Sequence, residues 1–170
     1  MAPEVWQRGP VPGFDPYLMP VAHALLQAKE DVEAIAALVK PERLWDRPNG
    51  AASVGFHLRH IGGSTDRLLT YARGESLSDA QFAAARREAT EQPSLPVLLK
   101  EVQAALDRAL DQVRFTPHDS LLDTRRVGRA GLPSTTLGLL FHAAEHATRH
   151  AGQAFTTARI VNGDDTGDVG

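Results

Sequence analysis

The 170-residue chain is long enough for one domain with its own core, and a hydrophobic content of 42% marks it as globular. Its net charge of −3, from 18 Lys+Arg against 21 Asp+Glu, gives no electrostatic reason to expect nucleic acid or an anionic membrane surface as partner. The absence of cysteine excludes disulfides, thiolate metal sites and a protein-borne thiol nucleophile, so any metal must be held by His, Asp, Glu or backbone oxygen.

Residues 1–16, rich in Pro and Gly, read as an irregular N-terminal arm with no apolar signal core. No run of ~18 apolar residues follows, so no membrane-spanning helix is expected and a cytoplasmic location is the default. From Tyr17 to Leu38, apolar Leu18, Val21, Leu25, Val32, Ile35 and Ala36 recur at helical spacing, with Pro20 suited to a first turn. The stretch "KPERLWDRPNGAAS" is a connection with a single turn at "PERLWD". Ser53 is a suitable N-cap for a second helix, "SVGFHLRHIGGSTDRLLTYARG", which stops at Gly74. The interior pair Gly62-Gly63 weakens that helix by about 1 kcal/mol per Gly, and so points to close approach of another helix or of a ligand. "SLSDAQFAAARREA" reads as a short polar helix. A third long helix carries Leu95, Leu98, Leu99, Val102, Leu106, Leu110 and Val113 on its apolar side.

"RFTPHDSLLDTRRVGRAGLPS" is a long connection holding a short hairpin or only turns. Pro133 or Ser134 then opens the last long helix, which runs to about residue 161, and the acidic Gly-rich stretch 162–170 is expected to fray. The expected fold is all-α: a four-helix bundle over residues 17–161, with long connections and one or two short extra helices.

Five of the seven histidines fall in two of these helices. His142, His146 and His150 are spaced four apart, and residues four apart on a helix differ in direction by only about 40°. A HxxxH pair can therefore give two nitrogens to one ion without distorting the backbone. The second helix offers His57 and His60, three apart and so also on one face. Burying several imidazoles in an apolar core is costly unless each has a partner, and a metal serves several at once. The alternative is a metal-free bundle with histidines on a polar face. His23 and His118 stand outside the pattern and read as ordinary polar residues. Gly152 removes a side chain beside His150, which suits close packing or access, and Gln153 can hydrogen-bond to a ligand.

The stretches "LWDRPNGAASVGFHLRHIGGSTDRLLTYARG" and "LPSTTLGLLFHAAEHATRHAGQAFTTARI" together resemble the DinB-like (DinB/YfiT) superfamily of metal-binding four-helix bundles. The ending HxxxHxGQ (His146, His150, Gly152, Gln153) is its most family-like piece. The resemblance implies a three-histidine site made of His60, His146 and His150, with His57 and His142 as pocket residues beside the ligands; exchange of His57 for His60 is the main alternative. It further implies zinc or nickel, a homodimer and, in some members, transferase chemistry with bacillithiol, mycothiol or glutathione.

Three neutral imidazoles leave a divalent ion with open positions, which suits catalysis better than a purely structural clip. Such an ion lowers the pKa of bound water to about 7 or binds a thiol from outside, since the chain has none. The expected function is therefore a metal-dependent transferase that adds a low-molecular-weight thiol to a small electrophilic substrate. His57, His142 and Gln153 would orient ligands or move protons. Arg125, Arg126 and Arg129 are candidates to bind carboxylates of the thiol cofactor, and a solvated basic loop is the more ordinary reading of them. The alternatives are a non-catalytic, stress-related metal-binding module and a metal-dependent hydrolase. The second lacks an evident carboxylate base, because Glu145 points about 100° away from His146.

Overall fold

The computed structural model describes residues 3–163. Its main elements are the helices α1 (Met19–Leu38), α2 (Val54–Ala72), α3 (Asp79–Arg87), α4 (Leu95–Phe115) and α5 (Thr136–Asn162), with strands β1 (Thr124–Val127) and β2 (Leu132–Thr135) before α5. Helix starts follow cap chemistry. The Ser53 hydroxyl accepts the Phe56 amide at the head of α2, and the Thr135 hydroxyl accepts that of Gly138 at the head of α5. Ser78 and Gln81 form a reciprocal capping box on α3. At the far end of α5, Gly163 takes the left-handed conformation (φ 67°) that closes a helix.

The four long helices share one core. α1 contributes Val21, Leu25, Ala28, Val32 and Ile35, and α4 contributes Leu98, Val102, Leu106, Ala109 and Val113, all nearly fully buried. Leu58 and Ile61 of α2 and Leu140, Ala144, Ala147, Ala151, Ala154 and Ala158 of α5 belong to the same buried cluster. Helices α2 and α5 run antiparallel, His57 beside His150 and His60 beside His146. The Gly-Gly pair serves close approach as expected: a Cβ at Gly62 would sit 3.4 Å from the Val102 backbone of α4. A Cβ at Gly55 would lie 2.7 Å from the Trp45 ring, so the connection before α2 is seated on a missing side chain.

Three expectations change. The all-α fold acquires a two-stranded antiparallel hairpin, in which Thr124 pairs with Thr135 and Val127 with Leu132. Its turn uses Gly128 and Gly131 at positive φ (66° and 59°), a conformation glycine adopts freely. Consequently α5 does not begin at Pro133 or Ser134: both lie in β2, and Thr135 is the cap. The N-terminal arm is less irregular than its composition suggests. It forms turns at Val5–Arg8 and Pro16–Leu18 and docks on α1 through Val5, which is buried, and an Arg8–Glu30 ion pair. The single turn expected at "PERLWD" is present at Pro41–Arg43. Of the stretch 162–170, residues 164–170 lie outside the described residues.

No described helix is long and apolar enough to cross a membrane.

Candidate metal centre

The α2–α5 seam brings four imidazoles into contact. Ring centroids of His146 and His150 are 4.5 Å apart, those of His60 and His150 4.7 Å, those of His60 and His146 5.2 Å and those of His57 and His150 5.2 Å. One ring nitrogen from each of His60, His146 and His150 lies within 4.8 Å of the others, a grouping that could hold a metal ion.

Hydrogen bonds orient the rings. His60 Nδ1 lies 2.7 Å from Glu88 Oε2, so this nitrogen donates to the carboxylate and Nε2 keeps its lone pair. His60 Nε2 faces His146 Nε2 at 3.1 Å. His150 Nδ1 meets His57 Nδ1 at 3.0 Å, which leaves Nε2 of His150 as its remaining donor atom. Phe56, one turn before His60, stacks on its ring with centroids 5.4 Å apart and planes 9° from parallel.

The donor set fits a cation. Two nitrogens held about 2.0–2.1 Å from one ion in tetrahedral geometry lie about 3.3 Å apart, close to the 3.1 Å between His60 and His146. Without a cation, a lone pair on His146 Nε2 would oppose that of His60. If His146 carries its proton on Nε2 instead, its buried Nδ1 has no donor facing it. A cation between the Nε2 atoms satisfies both lone pairs and leaves the His146 Nδ1–H without an acceptor.

Electrostatics disfavour the charged form of His57, His146 and His150. Burial, reinforced by the His60, His146, His57 and Arg149 charges, pushes His150 down to about 4. Burial lowers His146 as well, with His60 adding to it, and burial followed by the His60 charge lowers His57. Glu88 behaves oppositely. Burial favours its neutral form, but hydrogen bonds from His60 and Arg67 and the Arg67 charge outweigh burial and hold the carboxyl below its ordinary value.

The remaining sequence candidates are placed as follows. His57 is buried behind His150, outside the three-nitrogen grouping. His142 lies on the exposed side of α5, its Nδ1 2.6 Å from Glu145 Oε1, and Glu145 also accepts from Arg149. His142, Glu145 and His146 form a second, more exposed grouping that shares His146. Gln153 is exposed and has no hydrogen-bond partner among the described residues; Gly152 faces open space, so it serves no close packing. Arg125 donates from Nε to the carbonyl of Ala72, twelve residues along α2 from His60 and therefore about 18 Å away. Arg126 bonds the Gly131 carbonyl, and both it and Arg129 are exposed. The arginines thus stand at the opposite end of α2 from the histidines.

Sequence reasoning missed Glu88. It closes α3, 28 residues from His60, in a short segment with no continuous apolar stripe and no buried residue in the helix. The available signal was Gly63: a Cβ there would stand 2.2 Å from Glu88 Oε1, so the second glycine makes room for the carboxylate. The absence of a carboxylate beside the site is corrected accordingly, although Glu88 is engaged by His60 and Arg67 and does not face the open side as a base.

A sequence model described as the DinB superfamily matches residues 24–154. No curated protein matches the chain. Among solved structures, the chain is similar to a DinB-like protein from Bacillus subtilis, with 17% sequence identity and a TM-score of 0.62, over 86% of this chain and 94% of that one.

Proposed function

The chain belongs to the DinB superfamily, and on that premise we propose that it is a four-helix-bundle protein that binds one divalent ion, zinc or nickel, through Nε2 of His60, His146 and His150. We further propose that it is a metal-dependent transferase joining a low-molecular-weight thiol to an electrophilic carbon. The observation that carries the reading is a set of three converging imidazoles, two of them held by hydrogen bonds at Nδ1, in a chain with no thiol of its own. Bound there, a divalent ion supplies Lewis acidity at whatever position the protein leaves open.

The protein's own part is positioning. Glu88 and His57 fix two of the three rings by their Nδ1 atoms, and Phe56 packs flat on His60. With His150 ligating through Nε2, its Nδ1–H donates to His57 Nδ1, so His57 carries its own proton on Nε2 and holds the His150 ring in place while the thiol proton passes to solvent. Gln153, three residues after His150, is exposed and free to offer its amide to a ligand.

The test is a mass-resolved product assay of metal-loaded protein with bacillithiol, mycothiol and glutathione against an electrophile panel. A thioether adduct that requires protein and metal supports the transferase. No turnover with any of the three thiols rejects it.

A further inference from the structure

The crossover from α2 to α4, residues 73–94, has a single buried residue, and that residue is a carboxylate. Glu88 is 7% exposed, while α3 itself buries nothing. A connection of this length ordinarily docks through apolar side chains. Here the flanks of Glu88 are hollow. On one side lies a cavity of about 260 Å³ lined by Leu58, Gly62, Gly63, Val102 and Ala105 among others; on the other lies one of about 250 Å³ bordered by Trp45, Phe56 and Gln92. The other anchors of the crossover are polar. Gln81 reaches Asp66 and Thr70, Arg59 reaches the carbonyls of Arg87 and Glu91 and the Glu91 carboxylate, and Trp45 donates to the Pro93 carbonyl.

We propose that Glu88 is a positioning residue of the metal centre and that docking of the 73–94 crossover is coupled to metal occupancy through the Glu88–His60 hydrogen bond. The proposal rests on the metal reading given above. The coupling has a direct physical route. An ion on His60 Nε2 requires the proton on Nδ1 and polarises that N–H, which strengthens its bond to Glu88. Glu88 in turn holds His60 in the tautomer that can ligate. Two events that favour one another do so by one shared factor, so whatever Glu88 adds to metal affinity, the metal adds to docking of the crossover. Partners of this kind are typically worth 10–100-fold in metal affinity. Segments held by few buried contacts open independently of the rest of the fold, so the crossover is the place where such a factor is visible.

The experiment uses the full chain, zinc as probe, chelator-competition titration and amide hydrogen exchange. Glu88→Gln keeps the shape, but Arg67 claims its oxygen and the amide NH₂ turns toward His60, favouring the tautomer that cannot ligate. Gly63→Ala is the second variant. It retains Glu88 and suits a helix, yet its methyl group occupies the place of the carboxylate. The expected result is a loss of zinc affinity of about 10–100-fold in Glu88→Gln, a loss in the same direction in Gly63→Ala, and slower exchange across residues 79–92 on zinc binding in the unmodified protein only. Zinc binding by the unmodified protein, with unchanged affinity in both variants or with crossover exchange indifferent to zinc, overturns the coupling and leaves the metal reading standing. Failure of the unmodified protein to take up zinc overturns the metal reading, and the coupling with it.

Discussion

His57 and His150 meet Nδ1 to Nδ1 at 3.0 Å across the α2–α5 seam, so one ring donates and the other accepts. Their contact separates two roles that the sequence leaves interchangeable, because His57 and His60 are only three residues apart and share a helix face. If His57 orients His150, replacing it with Ala costs about 10–100-fold in metal affinity and leaves one ion per chain at saturation. His60→Ala, by contrast, removes a ligand and costs more. Chelator competition on both variants checks this; the reverse ranking would make His57 the ligand.

Acid destabilises the metal-free protein from near-neutral pH downward, through its buried histidines. His150 falls to about 4, and His146 and His57 are lowered in the same direction by burial. Between about pH 6.5 and 4 the unfolded chain therefore binds protons that the folded chain refuses, so stability decreases as pH falls through that window. Above pH 7 these three groups contribute little slope. Urea midpoints of metal-free protein at pH 8, 7, 6 and 5 test it, with a level response expected between 8 and 7 and a decline below. A midpoint that holds steady down to pH 5 would contradict the neutral-histidine seam.

Gly55→Ala places a methyl group against the Trp45 ring, which also holds the Pro93 carbonyl. Overpacking of this kind costs about 1–3 kcal/mol, or roughly 2–10 °C in Tm for a domain of this size. Thermal unfolding followed by tryptophan fluorescence reads both the loss and its location.

Arg125→Ala removes the bond to the Ala72 carbonyl at the far end of α2. The expected cost in stability is about 1 kcal/mol, with metal affinity unchanged. A matched titration of variant and unmodified protein checks this, and a weakened metal site would show that the two ends of α2 communicate.

The long helices were legible because their periodicity is strong and their caps are conventional. Ser53, Pro20 and the α4 leucines each signal locally what they do. The histidine pairs were legible for the same reason, since spacings of three and four fix a shared face. The β1–β2 hairpin was not, because its strands are four residues long and one contains Pro133. Glu88 was hidden for a different reason. Its burial depends on a contact made 28 residues away, and nothing in a polar helix distinguishes the one carboxylate that turns inward. Gly63 carried that information as an absence, a missing side chain whose purpose appears only when the crossover is folded over it. The arginines of the hairpin looked like anion binders by composition, whereas topology sets them at the opposite end of α2.

The most direct test of the metal centre is elemental analysis of untagged protein purified without added metal, alongside His60→Ala and His146→Ala. The three-nitrogen grouping predicts about one zinc or nickel per unmodified chain, lost from both variants while their helical circular dichroism persists. An unmodified protein that carries no stoichiometric metal and takes up none on titration would contradict it.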